Sequence, residues 1–184
     1  AAATQNWVLA GILVIVFGIF DLFDGALARA TGQVSKFGAF LDSTLDRTGE
    51  NLVLAGVAYG CASAGFELGA GLAAVAIAFA SVVTYTRAKA EVIGLHGEVG
   101  IAPRPERLVV LAVGLVLTGA LGGIANPCFG QPGLLCLIDV PNGNYVLGLA
   151  LGILVATCAI TIVQRILHVK HQLESPTSST SSTR

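Results

Sequence analysis

Charged side chains are scarce in this chain of 184 residues, since Asp, Glu, Lys and Arg together make up only 11% of it. Hydrophobic residues account for 54%, and the mean hydropathy is +0.81. Soluble domains typically have about a quarter of their residues charged. The scarcity of charge therefore argues against a soluble domain and favours a polytopic membrane protein.

Lysine and arginine are missing from long stretches of the chain and fall in three clusters. The apolar stretches between these clusters are each close to the roughly 20 residues that a bilayer core requires. The fold class predicted from them is all-α, a helical bundle integral to the membrane. The predicted spans lie near 5–29, 49–65, 69–87, 106–124 and 144–166.

The basic residues also predict the orientation of the bundle. Apart from Arg47, they lie in or beside the connections near 30–37 and 88–105 and in the tail after residue 164. Because basic residues concentrate in cytoplasmic loops, we expect these segments to face the cytoplasm, in an integral protein of the cell membrane. Five spans then leave the amino terminus outside, and the chain begins without methionine. We therefore expect a sixth helix upstream.

The sequence predicts one transmembrane domain over 1–171 and a flexible cytoplasmic tail over 172–184. The end of the tail, SPTSSTSSTR, is rich in serine and threonine and lacks apolar residues. Loop 124–143 contains Cys128 and Cys136, for which a disulfide and two free thiols are equally open alternatives.

Acidic side chains are concentrated in one string, DLFDGALARATGQVSKFGAFLDSTLD, which contains Asp21, Asp24, Asp42 and Asp46. On helices, Asp21 and Asp24 share one face, and Asp42 and Asp46 share another. A carboxylate at the centre of a span costs about 2.5–3.5 kcal/mol and usually marks a functional site. If the two helices pack antiparallel, we expect the four carboxylates to converge.

Four converging carboxylates require either protonation or a bound cation. The string contains no histidine or cysteine, so its oxygen ligands favour Mg²⁺, Mn²⁺ or Ca²⁺ over zinc. Gly25, Ala28 and Gly38 leave room for a bulky ligand beside the acids. Arg29 and Lys36 add positive charge that suits an anionic diphosphate.

The string has the pattern D-x2-D-G-x2-A-R-x8-G-x3-D-x3-D, with every position filled. This pattern resembles the signature of the CDP-alcohol phosphatidyltransferase family, and the apolar spans resemble that family across nearly the whole chain. The resemblance implies a six-helix homodimer whose first helix is missing here, with Mg²⁺ or Mn²⁺ as cofactor. It also implies transfer of a phosphatidyl group from CDP-diacylglycerol, a membrane lipid, to an alcohol, with release of CMP.

The resemblance also assigns roles to individual residues. Asp46 is implied to be the general base that takes the proton of the acceptor hydroxyl. The implied metal ligands are Asp21, Asp24, Asp42 and Asp46. The implied contacts to the CDP-lipid are Gly25, Ala28, Arg29, Ser35 and Gly38.

A second basic cluster predicts the acceptor, and it consists of Arg87, Lys89, Arg104 and Arg107. Four cations near a metal site favour an acceptor with its own phosphate, although the bias of cytoplasmic loops toward positive charge also accounts for them. The pattern Y-x-R-A-K-A-E followed by P-R-P-E-R resembles the phosphatidylinositol-phosphate synthase branch. That resemblance implies that the cluster binds the phosphate of inositol phosphate, with glycerol 3-phosphate as an alternative acceptor.

A carboxylate-lined cation transporter is an alternative from another functional class, because acids within spans often mark ion pathways. A transporter predicts acids distributed through the depth of the membrane. The acids here cluster at one end of the spans, with Arg29 and Lys36 beside them. The sequence therefore favours the enzyme, and we expect no nucleic-acid partner.

Overall fold

The computed structural model describes residues 1–30, 35–95, 99–101, 104–124 and 142–174, without the side chains of 21, 22 and 24–30. The described residues contain a short 3-10 turn at Ala2–Thr4 and five long α-helices, and no β-strand. The helices are α1 (Trp7–Ala30), α2 (Lys36–Ser63), α3 (Glu67–Val92), α4 (Arg104–Ala120) and α5 (Asn142–Glu174). The prediction of an all-α fold is confirmed.

Helix α2 begins well before the span predicted at 49–65, because its first half is polar and a hydropathy criterion does not detect it. The helix begins at Lys36 and is preceded by Ser35, whose side-chain oxygen accepts a hydrogen bond of 2.9 Å from the backbone N–H of Gly38. This bond is a typical N-cap. With 28 residues, α2 is about 42 Å long, which exceeds the roughly 30 Å of a bilayer core. One end of α2 is therefore free to extend beyond the apolar layer.

Two helices, α3 and α5, are long and apolar enough to cross a membrane, with mean hydropathies of 1.9 and 2.6 in their most apolar windows. Helix α1 contributes a shorter apolar stretch, Trp7–Phe20. Large apolar side chains on the outer surface, such as Leu52, Val109 and Leu149, are more than half exposed. These features fit a membrane protein, while the number of five or six spans stays a prediction.

The helices do not pack in the order in which they follow one another along the chain. Among the described residues, α1 packs most extensively against α4, α4 also against α5, α5 against α3, and α3 against α2. The spatial order is therefore α1, α4, α5, α3, α2. Antiparallel packing of α1 directly on α2 is not extensive among the described residues, because the two helices stand at the two ends of this arc; the 3-10 turn before α1 packs against α2 instead. A cavity lies between them.

The core of the arc is formed by aliphatic side chains from α2, α4 and α5. Leu54, Leu111, Leu115, Leu147 and Leu151 are each at most 2% exposed. Close approach of α4 to α5 depends on a small residue, since a Cβ at Gly114 would lie only 2.5 Å from the Cβ of Ala150.

Two further sequence predictions concern the ends and loops of the chain. Helix α5 continues through Glu174, so the first three residues of the predicted flexible tail, 172–174, are helical. Residues 175–184 lie outside the described residues, as do Cys128 and Cys136. The domain boundary at 171 stays a prediction.

Candidate active site

Helix α2 carries a stripe of three acidic residues, Asp42, Asp46 and Glu50, at intervals of four. This spacing places them on one helical face. Their exposure falls along the stripe, from exposed Asp42 through partly exposed Asp46 to Glu50, which is 6% exposed. The stripe thus leads from the surface into the helix bundle.

Two arginines in the first turn of α4 face the inner part of this stripe. Arg104 Nη1 lies 2.5 Å from Asp46 Oδ2. One turn deeper, Arg107 donates from Nε to Glu50 Oε1 and from Nη2 to Glu50 Oε2, each at 2.8 Å. Helices α2 and α4 are therefore joined by two ion pairs, one above the other.

The two ion pairs differ in how far their side chains are exposed to solvent. Both side chains of the Glu50–Arg107 pair are at most 5% exposed, and removing one partner of such a buried pair typically costs about 3–5 kcal/mol. The side chains of Arg104 and Asp46 are 29% and 23% exposed, so solvent reaches the outer pair more readily than the inner one. The inner pair therefore fixes α2 against α4, whereas the outer pair is partly open to solvent and to the ligands of the adjoining space.

The outer ion pair stands between two cavities, since Asp46 and Arg104 line both of them. The first cavity has a volume of about 500 Å³, lies between α1, α2 and α4, and is mostly apolar. Its lining includes Val14, Phe17 and Leu108. The second cavity, of about 400 Å³, lies between α2, α3, α4 and α5 and is polar. We refer to them as the apolar cavity and the polar cavity.

The polar cavity is strongly basic. Two carboxylates, those of Asp46 and Glu91, line it together with five arginines. The arginines are Arg47, Arg87, Arg104, Arg107 and Arg165. Guanidinium groups bind phosphate and carboxylate through paired hydrogen bonds, so this cavity is suited to a small anion.

Three of the four residues predicted to bind the acceptor phosphate, Arg87, Arg104 and Arg107, lie at the polar cavity. The fourth, Lys89, is exposed on α3 and is not among the lining residues. Arg87 Nε is bonded to Glu91 Oε1 at 2.8 Å, in an ion pair with both side chains about half exposed. The cluster seen in the sequence is thus largely brought together, with Lys89 set apart from it.

Sequence reasoning treated Arg165 as a basic residue of the cytoplasmic end, but α5 places it in the wall of the polar cavity. Its Nε donates a hydrogen bond of 2.8 Å to the carbonyl of Val99, and its Nη1 bonds to the carbonyl of Val83. A signal in the sequence was available, because the predicted span 144–166 extends past Arg165. Arginine at such a position is costly and commonly has a functional reason.

The predicted metal ligands are only partly described. Asp42 and Asp46 lie one turn apart on α2, while the side chains of Asp21 and Asp24, near the end of α1, lie outside the described part. Position 21 follows Gly18 by three residues and Phe17 by four, and both of these line the apolar cavity. Position 21 therefore falls on the same face of α1. In the described ranges, no three His, Cys, Asp or Glu side chains are close enough to hold a metal ion.

The available donors nevertheless suit the metal that the signature implies. Asp42 and Asp46 offer carboxylate oxygens, which Mg²⁺ and Mn²⁺ prefer. Asp46 already binds a cationic group, the guanidinium of Arg104, at 2.5 Å. A carboxylate that pairs with a cationic side chain can also bind a divalent cation.

The predicted CDP-lipid contacts on α2 have a structural role as well. Ser35 caps the helix, and a Cβ added to Gly38 would lie 2.9 Å from the Ser35 side-chain oxygen. Glycine at 38 therefore leaves space for the cap. The side chains at the other three predicted contacts, Gly25, Ala28 and Arg29, lie outside the described part, so their role toward the nucleotide stays a prediction.

Comparison with curated proteins gives relatives over most of the chain. The phosphatidylinositol phosphate synthase of Cutibacterium acnes is 38% identical over 173 residues, which cover 93% of this chain and 77% of that protein. The archaetidylinositol phosphate synthase of Pyrococcus horikoshii is 39% identical over 126 residues, covering 65% of this chain and 62% of that protein. The match to the Mycobacteroides abscessus phosphatidylinositol phosphate synthase spans about half of that relative's length, 51%.

Solved structures with the same fold include two of the Mycobacterium tuberculosis phosphatidylinositol phosphate synthase. The structure with CDP-DAG bound has a TM-score of 0.74 and 27% identity, and covers 100% of this chain and 82% of its own. The complex with manganese and citrate has a TM-score of 0.72 at the same 27% identity, and covers 100% and 80%. The model of the CDP-alcohol phosphatidyltransferase family matches residues 1–163. The chain therefore belongs to the CDP-alcohol phosphatidyltransferase family, as its signature predicted.

Proposed function

We propose that this protein transfers a phosphatidyl group from CDP-diacylglycerol to the hydroxyl of inositol phosphate and releases CMP. The observation that carries the proposal is the position of Asp46 between an apolar cavity and a cavity lined by five arginines. A lipid-linked donor and a phosphorylated acceptor require sites of these two kinds, adjacent to one base. Family membership supports the reaction class.

The donor is assigned to the side of the apolar cavity. This cavity lies between the two helices that carry the signature, α1 and α2, and its wall is mostly aliphatic and aromatic. Such a wall suits the lipid part of CDP-diacylglycerol near its diphosphate. The structure of the Mycobacterium tuberculosis relative with CDP-DAG bound supports this donor.

The acceptor is assigned to the polar cavity. Five arginines against two carboxylates give its wall an excess of positive charge. A phosphorylated polyol matches that charge better than serine or choline, which carry no phosphate. Inositol phosphate is favoured over glycerol 3-phosphate because relatives in Cutibacterium and Mycobacteroides are named phosphatidylinositol phosphate synthases.

The chemistry of transfer follows from the position of Asp46. Its carboxylate takes the proton of the acceptor hydroxyl, and the hydroxyl oxygen forms a bond to the phosphorus of the phosphatidyl group. The bond between that phosphorus and the oxygen of CMP breaks, and CMP leaves as an anion. Divalent metal, held by Asp21, Asp24, Asp42 and Asp46, would neutralise the diphosphate and the departing CMP. The manganese complex of a relative supports a divalent ion.

An arginine-lined cavity argues against the cation transporter. Positive charge next to the carboxylate stripe repels a cation that would pass through the polar cavity.

The protein is assigned to the cell membrane, with the polar cavity and the start of α2 at the cytoplasmic edge. The basic residues around the cavity support this orientation. Six spans and a homodimer complete the proposed architecture.

The test is an assay of CMP release by the purified full-length protein in detergent, with CDP-diacylglycerol and Mg²⁺ or Mn²⁺. Inositol 1-phosphate and glycerol 3-phosphate are offered in separate reactions, with the Asp46→Asn variant as control. Release with inositol 1-phosphate alone, lost in the variant, is the expected result. Release with glycerol 3-phosphate alone would reassign the acceptor, and release with neither from folded protein would refute the proposal.

A further inference from the structure

We infer that Arg104 couples the polar cavity to Asp46 by binding either the Asp46 carboxylate or an anion in the polar cavity. In this structure Arg104 is bonded to Asp46. When the phosphate of the acceptor enters, Arg104 turns to it and no longer competes for the carboxylate with a divalent cation and with the proton of the hydroxyl. The inference rests on the proposed function, in which that anion is the acceptor's phosphate.

The Arg104–Asp46 pair lies where such an exchange can occur. Both residues line both cavities, so their ion pair forms part of the wall between the proposed donor and acceptor sites. Arg104 therefore borders the proposed anion site and the carboxylate at once. Its guanidinium, bonded at 2.5 Å to Asp46 Oδ2, competes with a cation or with the proton of a hydroxyl for that oxygen.

The exchange requires only the Arg104 side chain to move, because a neighbouring ion pair holds the two helices together. Arg107 is held by two bonds to Glu50, both side chains being buried, so α4 stays fixed on α2 while the Arg104 side chain moves. The Arg104 side chain is 29% exposed and borders open space in both cavities. The anion it would meet lies in a cavity that it already lines.

The exchange has a thermodynamic consequence. An anion that removes Arg104 from Asp46 raises the affinity of the carboxylate for a cation, and by reciprocity the cation raises the affinity for the anion. An alcohol without phosphate leaves Arg104 on Asp46. Arg104 thus becomes a specificity-determining residue that makes the base available only to phosphorylated acceptors.

The test measures Mn²⁺ binding to the full-length protein by electron paramagnetic resonance, without CDP-diacylglycerol, in the absence and presence of inorganic sulfate or inositol 1-phosphate. In the wild type we expect either anion to tighten Mn²⁺ binding by about fivefold or more. In Arg104→Gln we expect Mn²⁺ to bind tightly without an anion and the anions to have no further effect.

Arg87→Gln is the matched control, because it removes the same charge from the same cavity while Arg87 is bonded to Glu91. It should weaken anion binding yet preserve the coupling. Coupling that persists in Arg104→Gln would show that anion and metal interact directly, and it would overturn the inference. Equal effects of the two substitutions on Mn²⁺ affinity would also overturn it, since they would report only the loss of charge.

Two measurements keep the inference testable if Arg104→Gln does not fold. Absence of coupling between Mn²⁺ and sulfate in the wild type would refute it directly. Asp46→Asn should bind sulfate more tightly than the wild type without metal, and unchanged or weaker binding would refute it as well. The CMP assay separates this outcome from the proposed function, because a wild type without transferase activity can still show the coupling through Arg104.

Discussion

Arg107 on α4 and Glu50 on α2 are joined by two parallel hydrogen bonds of 2.8 Å, although 57 positions separate them in the sequence. Both side chains are almost completely buried. The pair lies one turn below Asp46 and Arg104, so it sets the position of α4 at the point where the proposed base is located. Four consequences of this site can be measured.

Breaking the buried pair should destabilise the protein. Arg107→Ala leaves the Glu50 carboxylate buried without its guanidinium, and we expect a loss of about 3–5 kcal/mol in the free energy of unfolding. Unfolding in mixed detergent with increasing SDS measures this loss. Glu174→Gln, which removes the exposed pair with Lys170, is the control and should change stability by less than about 1 kcal/mol. Similar stability of the two variants would contradict a fixing role for Glu50 and Arg107.

Arg165 should contribute to acceptor binding, and Lys89 should not. Arg165→Gln removes a guanidinium from the wall of the polar cavity, and the loss of a charged hydrogen bond to phosphate predicts an increase of about 10–100-fold in KM for inositol 1-phosphate. Lys89→Gln should change this KM by less than about threefold, because Lys89 is exposed and does not line the cavity. Steady-state kinetics with each substrate varied in turn measure both. An increase of more than about threefold in this KM in Lys89→Gln would show that Lys89 also contributes to acceptor binding.

The two aspartates of α2 should differ in how metal affects their variants. Asp46→Asn removes the base and should lower kcat by about 10²–10⁴-fold at any metal concentration. Asp42→Asn removes only a proposed metal ligand, so raising Mg²⁺ or Mn²⁺ should restore part of its activity. Titration of each variant with metal distinguishes these roles. Full recovery of Asp46→Asn at high metal would contradict its assignment as the base.

Filling the apolar cavity should impair use of the donor without unfolding the protein. Gly56 lines this cavity, and a Cβ there meets no atom within 4 Å, so Gly56→Leu extends into the open space. We expect KM for CDP-diacylglycerol to rise by about tenfold or more, while KM for the acceptor is unchanged. Gly71→Leu, on an exposed part of α3 with equally open surroundings, is the matched control. Equal kinetics in the two variants would place the donor elsewhere.

The sequence predicted the helical class and the five apolar segments because hydropathy is a local property of each segment. It did not predict the start of α2, where a side-chain cap at Ser35 begins a polar stretch of helix. The family was identifiable because its signature has fixed spacings over only 26 positions, from Asp21 to Asp46.

Contacts between distant parts of the chain were beyond sequence reasoning. The bonds from Arg107 to Glu50 and from Arg165 to Val83 depend on how α2, α3, α4 and α5 pack. The basic cluster consequently looked like four equivalent cations. In the structure the four residues have different surroundings. Arg107 is buried and bonded to Glu50, and Arg104 is bonded to the proposed base, Asp46. Arg87 is paired with Glu91, and Lys89 is exposed and lies apart from the cavity.

The spatial order of the helices means that the two halves of the signature, consecutive in sequence, stand at opposite ends of an arc. Among the described residues, the opening between α1 and α2 depends on the helix contacts along that arc and on the 3-10 turn before α1, which packs against α2. We therefore expect a change in packing far from the aspartates, for instance between Gly114 and Ala150, to alter the separation of the metal ligands. The buried Glu50–Arg107 ion pair joins α2 directly to α4. It therefore limits how far such distant changes can move Asp46 relative to α4.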